Sequence, residues 1–413
     1  MSSVALQTPR REIEVISLVG FVHGVSHFFH LMIPPLFPWL MEEFGLTFTQ
    51  AGALTAMFFI VSSISQALSG FIVDRVGARR VLLVGMTLFA AAAITLATAQ
   101  NYIMLIAAAV LSGLGNSVFH PADYTLLNRN VTRERIGHAF SVHGLSGSLG
   151  WAAAPMFMTG FALAYDWRVA AAAAVTVAVV AFAIILWRRE TMTEASLAVE
   201  HDASATNSGS LFAFMSSTAV WMCFLFFFLT MIAFGAMQNF APSAFQHLYG
   251  LSLSAAASSL TVFMLGSAAG VGLGGFLVAR GDAHDRYIAA ILITAAVLAT
   301  LIASGGIPSW SLIVLVAGAG FCNGLTGPSR DMLVRRAATA RFGQKAFGRV
   351  YGFVYSGLDM GLAVAPFIFG PLMDAGRFSW VLGGVAVAQT LAVFAALNVG
   401  RLAPDAPAGG ATR

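Results

Sequence analysis

Apolar runs of membrane length, repeated along the chain and separated by short polar turns, constrain this sequence more than any other feature. About 20 consecutive apolar residues cross a hydrocarbon core about 30 Å thick. Such runs fall at 15–38, 48–72, 80–99, 102–127, 137–163 and 167–187, then at 214–240, 252–279, 286–304, 309–333, 345–371 and 377–398. The expectation is an all-α membrane protein of twelve transmembrane helices in two pseudo-symmetric six-helix halves. The halves are residues 1–187 and 213–413, joined by a polar, mobile cytoplasmic linker over 188–212. Composition agrees: 58% of residues are hydrophobic and 10% charged, against roughly 25% charged in a soluble domain.

The positive charges set an orientation. Assigning them to alternate sides of the twelve spans leaves only Arg168 and Arg377 on one side; the other members of the 22 Lys and Arg residues share the opposite one. Basic loops stay cytoplasmic, which predicts both termini inside and a multi-pass protein of the cell membrane, as in a bacterial inner membrane. The net charge of +4 is therefore topological and predicts no nucleic-acid partner. The N-terminus lacks a short apolar core with a small-residue cleavage site, so the first run is expected to be retained as a helix. Cys223 and Cys322 both sit in apolar runs and read as small buried hydrophobes, without disulfide or metal-ligand spacing.

The stretch Gly70-Phe71-Ile72-Val73-Asp74-Arg75-Val76-Gly77-Ala78-Arg79-Arg80 packs four charges between the second and third runs. A worn copy, Gly275-Phe276-Leu277-Val278-Ala279-Arg280, follows 205 residues later. Phe44-Gly45-Leu46-Thr47 and Tyr249-Gly250-Leu251-Ser252 match at the same offset, as do Gly113-Leu114-Gly115 and Gly318-Ala319-Gly320. Gly150 to Pro155 pairs with Gly361 to Pro366, and Arg168 and Arg377 occupy equivalent loops. Duplicated six-helix halves place a substrate site near the bilayer midplane, between the repeats.

On these residues the chain resembles the major facilitator superfamily over nearly its whole length. The Gly-x-x-x-Asp-Arg-x-Gly-x-Arg-Arg pattern of residues 70–80 is similar to that family's loop between the second and third helices. The resemblance implies alternating access by rocking of the halves, with the first, fourth, seventh and tenth spans lining a cavity. It also implies a latch role for Gly70, Asp74, Arg75, Gly77, Arg79 and Arg80. Within the superfamily, Gly113-Leu114-Gly115-Asn116-Ser117-Val118-Phe119-His120-Pro121 is similar to the fourth helix of fosmidomycin-resistance-type efflux permeases. Two positions depart from the drug:proton antiporters of the family. Ala109 stands where they often carry an arginine, and Ala154-Pro155 replaces their Gly-Pro with its paired glycines. Because Ala365-Pro366 repeats that pair, it reads as a packing and kinking device.

Ionisable groups at membrane depth are expensive and mark functional sites. His23, His27 and His30 lie four and three residues apart, which puts them on one face of the first helix. Histidine titrates near neutral pH, which suits a coupling site, and His27, nearest mid-span, is the first choice among them. His120 and His143 are candidate cavity residues on the fourth and fifth spans. Asp123 is expected near the cytoplasmic surface, where it can pair with the arginines of the 70–80 loop as a gate. In the second half the candidates are Gln238, Asn239, Asn323 and Asp359. The structural reading of each is a satisfied packing residue. No Lys or Arg falls mid-helix, so a neutral, cationic or amphipathic substrate fits better than a dicarboxylate or sugar phosphate. Phe21, Phe28, Phe29, Phe226, Phe227, Phe228 and Tyr355 add aromatic surface to the same helices.

The reading is a secondary active transporter of a small organic molecule, proton-coupled, monomeric, embedded in the lipid bilayer and needing no cofactor, with export of a drug or metabolite favoured. Alternatives are a proton-coupled uptake permease, a metal or metal-chelate carrier, and a non-transporting receptor or scaffold. No enzyme motif is present.

Overall fold

Proline placement and glycine caps decide where the apolar runs become helices. The computed structural model describes residues 9–132, 134–192, 213–278, 284–342 and 347–402, with no strand among them. The first apolar run is broken. Helix α1 (Pro9–His30) stops, a 3-10 turn follows at Pro34–Leu36, and α2 (Phe37–Phe44) completes the span. Pro34 has no N–H to donate to the His30 carbonyl four residues back, and Pro35 none for Leu31. The fourth run breaks for the same reason. Pro121 offers no donor to the Ser117 carbonyl, so α5 (Tyr102–Asn116) ends and α6 (Phe119–Asn130) begins.

Between them lie α3 (Phe48–Val76) and α4 (Ala78–Ala97), followed beyond α6 by α7 (Ile136–Ala164) and α8 (Trp167–Trp187). Thr47 opens α3 with a capping box shared with Gln50, and Asn101 and Asp166 cap α5 and α8 through their side chains. The second half carries α9 (Thr218–Tyr249), α10 (Leu253–Val278), α11 (His284–Ala303), α12 (Ser309–Phe342), α13 (Phe347–Asp374) and α14 (Phe378–Leu402).

Eleven segments among the described residues are long and apolar enough to cross a membrane, α1 with α2 and α5 with α6 each counting as one. The remaining expected span is α7, whose 29 residues reach about 43 Å at 1.5 Å each. It is diluted by His143, Gly144, Ser146, Gly147, Ser148 and Gly150. Lipid-facing apolar side chains such as Ile103 (76% exposed) and Trp310 (78%) would be a liability in water and are expected against acyl chains.

The chain divides into two compact units: Met1–Glu200 with Leu253–Met264, and His201–Ser252 with Leu265–Arg413. In the first unit α1 packs on α7, α3 on α5, and α4 on α8. In the second, α9 packs on α13 and α11 on α14, while Gly266, Gly270 and Gly324 bring α10 against α12. First-with-fifth, second-with-fourth and third-with-sixth pairing is thus the same in both. The duplication also reaches single residues: Gly45 and Gly250 end α2 and α9 in the left-handed conformation, at φ 62° and 63°, where glycine avoids the β-carbon penalty.

The charged stretch 70–80 is mostly helix. Residues 70–76 form the last turns of α3, Gly77 alone makes the bend at φ 92°, and α4 starts at Ala78. Asp74 therefore lies within the last turn of α3 rather than beyond the helix end. In the worn copy, residues 279–283 lie outside the described residues, as do residues 193–212 of the linker.

Candidate functional site

The site begins with the 4-3 spacing on α1. His23, His27 and His30 share one helical face, and all three are buried. They can be buried because α7 presents glycines to them. A β-carbon on Gly147 would come 2.7 Å from His27 Nδ1 and 3.1 Å from His23 Nε2, and one on Gly150 would overlap the Gly24 carbonyl oxygen. Small residues let two helix backbones approach closely, and here the rings fill the space gained.

Helix α6 brings the other half. His120 and Asp123 sit three apart on α6, facing the same way. Asp123 is fully buried, with its Oδ2 3.2 Å from His23 Nδ1 and 3.2 Å from His143 Nε2. The His143 contact is a hydrogen bond. The His23 contact has the distance but not the alignment, so His23 Nδ1 and Asp123 Oδ1 have no hydrogen-bond partner in the protein. The His23 and His143 rings stack at 3.5 Å between centroids, His23 and His27 lie 4.3 Å apart, and His120 is 5.2 Å from His23. Five groups expected from sequence, on three helices, thus form one cluster.

His30 belongs to a different arrangement. Its Nε2 lies 2.7 Å from Asn116 Oδ1, and Asn116 Nδ2 donates to Ser62 Oγ at 2.8 Å. Trp151 Nε1 donates to His30 Nδ1 at 3.3 Å. Indole is only a donor, so His30 Nδ1 accepts and Nε2 donates to Asn116: a neutral ring with both nitrogens used. Its neighbour is the opposite. Neither nitrogen of His27 has a hydrogen-bond partner in the protein, although the Trp151 ring lies 4.3 Å from it. Ser62, Asn116 and Trp151 were not among the residues singled out from sequence, although Asn116 and Trp151 lie in stretches quoted there. Their role depends on register between helices, which no local spacing reports.

Asp123 differs from expectation in its partners. Its carboxylate turns to the imidazoles of α1 and α7 rather than to the arginines at residues 75–80. Among those, Arg79 donates to the Arg189 carbonyl at 2.7 Å, and Asp74, Arg75 and Arg80 are exposed. Gly70 has open space around it.

The second-unit candidates stand on three helices: Gln238 and Asn239 on α9, Asn323 on α12 and Asp359 on α13. Gln238 is 1% exposed with neither amide atom hydrogen-bonded, while Asn239 Nδ2 donates to the Gly235 carbonyl at 2.8 Å. Pro242 also deprives the Gln238 carbonyl of its helical donor. The aromatic candidates mostly pack: Phe29 stacks on Phe89 at 4.3 Å, Phe227 is fully buried, and Phe21 is 41% exposed.

A buried carboxylate at membrane depth is stable only when paired or protonated. The cluster offers four imidazoles and one carboxylate for carrying a cation, and its unmade hydrogen bonds leave lone pairs available.

The family model of the Major Facilitator Superfamily matches residues 17–366. The chain is 24% identical over 393 residues to the Uncharacterized MFS-type transporter YfnC of Bacillus subtilis (strain 168), covering 93% of this chain and 92% of that one. It is 29% identical over 147 residues to the Fosmidomycin resistance protein of Escherichia coli (strain K12), a match covering 36% of each. In fold it is similar to the crystal structure of a bacterial homolog to the human lysosomal transporter Spinster, in an inward-facing and unoccupied conformation. That likeness has a TM-score of 0.74 at 13% identity and covers 96% of each chain.

Proposed function

The chain belongs to the Major Facilitator Superfamily, and on that premise we propose that it is a proton-coupled secondary transporter exporting a small organic molecule. Family membership carries the coarse part: a multi-pass membrane transporter of a small molecule. The coupling reading rests on one observation, the Asp123 carboxylate fully buried between His23 and His143. A charge held there needs a counter-charge, and a proton shared among the imidazoles supplies it. The groups facing that carboxylate are His23 from α1, His120 on its own helix and His143 from α7, with His27 packed behind His23.

The halves then rock about the bound molecule, as in the duplicated transporters of this architecture. Proton entry at the cluster alters the charge that the first unit carries into the bilayer. Asp74 and the arginines at 75, 79 and 80 act as a latch on the cytoplasmic side, and the chain works as a monomer in a bacterial inner membrane with both termini inside. Gln238, Asn239, Asn323 and Asp359 contribute amide and carboxylate contacts to the cargo. Export is favoured by the relative named for resistance to fosmidomycin.

The test is a compound-sensitivity screen in cells lacking or overproducing the protein, fosmidomycin included, followed by flux of each hit in reconstituted vesicles under an imposed pH gradient. Protection by overproduction with gradient-driven flux supports the reading. Sensitisation by overproduction reverses the direction, and flux indifferent to the gradient removes proton coupling.

A further inference from the structure

The histidine cluster of the first unit has more donor atoms than its hydrogen bonds use. His23 Nδ1, both nitrogens of His27, His120 Nδ1 and Asp123 Oδ1 are buried without a hydrogen-bond partner in the protein. Buried polar atoms in native proteins are overwhelmingly satisfied, and an unmade set of this kind calls for a specific explanation. Structural packing does not provide one. An apolar residue at any of these positions would avoid the desolvation cost, and the same helix satisfies His30 on both nitrogens.

The side chains of the cluster also converge. One donor atom each from His23, His27 and His120 lies within 4.8 Å of the others, and the same holds for His23, Asp123 and His143. His23 is common to both triads. In the second triad, Asp123 Oδ2 stands 3.2 Å from His23 Nδ1 and 3.2 Å from His143 Nε2. Zinc–nitrogen and zinc–oxygen bonds of about 2.0–2.1 Å place neighbouring donors of a tetrahedron about 3.3 Å apart. The two Asp123 contacts have that length, but the rings of His23 and His143 stack at 3.5 Å, which leaves their in-plane lone pairs parallel, so the first triad is the one that suits a metal ion. The first triad has an anion beside it: Asp123 Oδ2 lies 3.2 Å from His23 Nδ1 and accepts a hydrogen bond from His143.

We propose that this cluster binds one first-row divalent transition-metal ion of the zinc, cobalt or nickel class, held by His23, His27 and His120, with the fourth position open and Asp123 as the neighbouring counter-charge. Imidazole nitrogens outnumber carboxylate oxygens, which selects these metals over calcium and magnesium. The inference rests on reading the cluster as the cation-handling site of the transporter. It adds that the site accepts a metal ion as well as a proton, because both occupy the same lone pairs. The bound ion offsets the Asp123 charge that otherwise has only imidazoles around it.

Co²⁺ is the probe, because its visible absorption reports coordination number directly. Purified full-length protein in lipid nanodiscs, stripped with chelator, should take one Co²⁺ per chain with the intense visible bands of tetrahedral nitrogen and oxygen ligation. Zn²⁺ should displace it, and loading either metal onto the stripped protein should release protons into weakly buffered solution. His23→Ala, which removes the residue common to both triads, should weaken binding by about 10-fold or more, and Asp123→Asn likewise. His247→Ala, on α9 in the other unit, should bind as wild type. Wild-type protein giving only the weak octahedral spectrum of aqueous Co²⁺ overturns the proposal whatever the variants do. So does tetrahedral binding that survives both His23→Ala and Asp123→Asn. Gradient-driven flux in a protein that takes no metal overturns this inference alone. Metal binding at the cluster without gradient-driven flux sinks the coupling reading and leaves the site.

Discussion

Gly150 on α7 faces Gly24 on α1 so closely that a β-carbon on Gly150 would overlap the Gly24 carbonyl oxygen. Backbone cannot retreat as a flexible side chain can, so this contact fixes the distance between the two helices that carry His23, His27 and His143.

Gly150→Ala should therefore destabilise the first unit by about 1–3 kcal/mol, the usual cost of overpacking. Gly144→Ala is the matched control, since nothing lies within 4 Å of a β-carbon there. It should be neutral or gain up to about 1 kcal/mol in helix propensity. Thermal unfolding of the two variants in the same detergent checks the difference. Equal melting temperatures would remove the close contact from the account.

His27 and His30 should separate stability from transport. His30→Ala removes the ring partner of the buried Asn116 Oδ1, at about 1–3 kcal/mol for a buried group left unpaired, together with the hydrogen bond from Trp151. His27→Ala strands no such group, because neither nitrogen has a hydrogen-bond partner in the protein. Both changes open a cavity, so the expected result is the larger drop in melting temperature for His30→Ala, and the smaller drop with impaired transport for His27→Ala. Melting curves and vesicle flux measured on the same preparations decide it.

Gly77 makes the whole bend between α3 and α4 at φ 92°. Gly77→Ala should cost about 1 kcal/mol or more through the backbone conformation alone, with no side-chain clash required. Asp74→Ala, one turn earlier and exposed, should leave stability and membrane insertion intact while lowering transport if the stretch is a latch. Normal flux from well-inserted Asp74→Ala would reduce it to a topological signal.

Much of the fold was legible because its signals are local. Run length set the spans, the 70–80 stretch and its copy at 275 with their companion matches revealed the duplication, and the 4-3 spacing on α1 put three histidines on one face. The breaks at Pro34 and Pro121 were legible too, had the missing donors to His30 and Ser117 been counted. What local spacing does not contain is which helix face meets which. Asp123 has three basic residues of the 75–80 stretch available on paper, and only the packing of α6 between α1 and α7 turns its carboxylate to His23 and His143. Asn116 and Trp151 escaped for the same reason: each acts on His30 from a different helix. The roles of Asn323 and Asp359 depend equally on packing and stay proposals.

Asp123 is where the account is most exposed. Asp123→Asn keeps the size of the side chain and one acceptor oxygen, but exchanges the other for an NH2 donor and cannot hold the charge that the surrounding imidazoles offset. The direct measurement is flux of a compound identified in the sensitivity screen, in vesicles with and without an imposed pH gradient, for wild type and Asp123→Asn. The gradient should accelerate wild-type flux and leave the folded variant unresponsive. An Asp123→Asn protein that answers the gradient as wild type does would contradict the account.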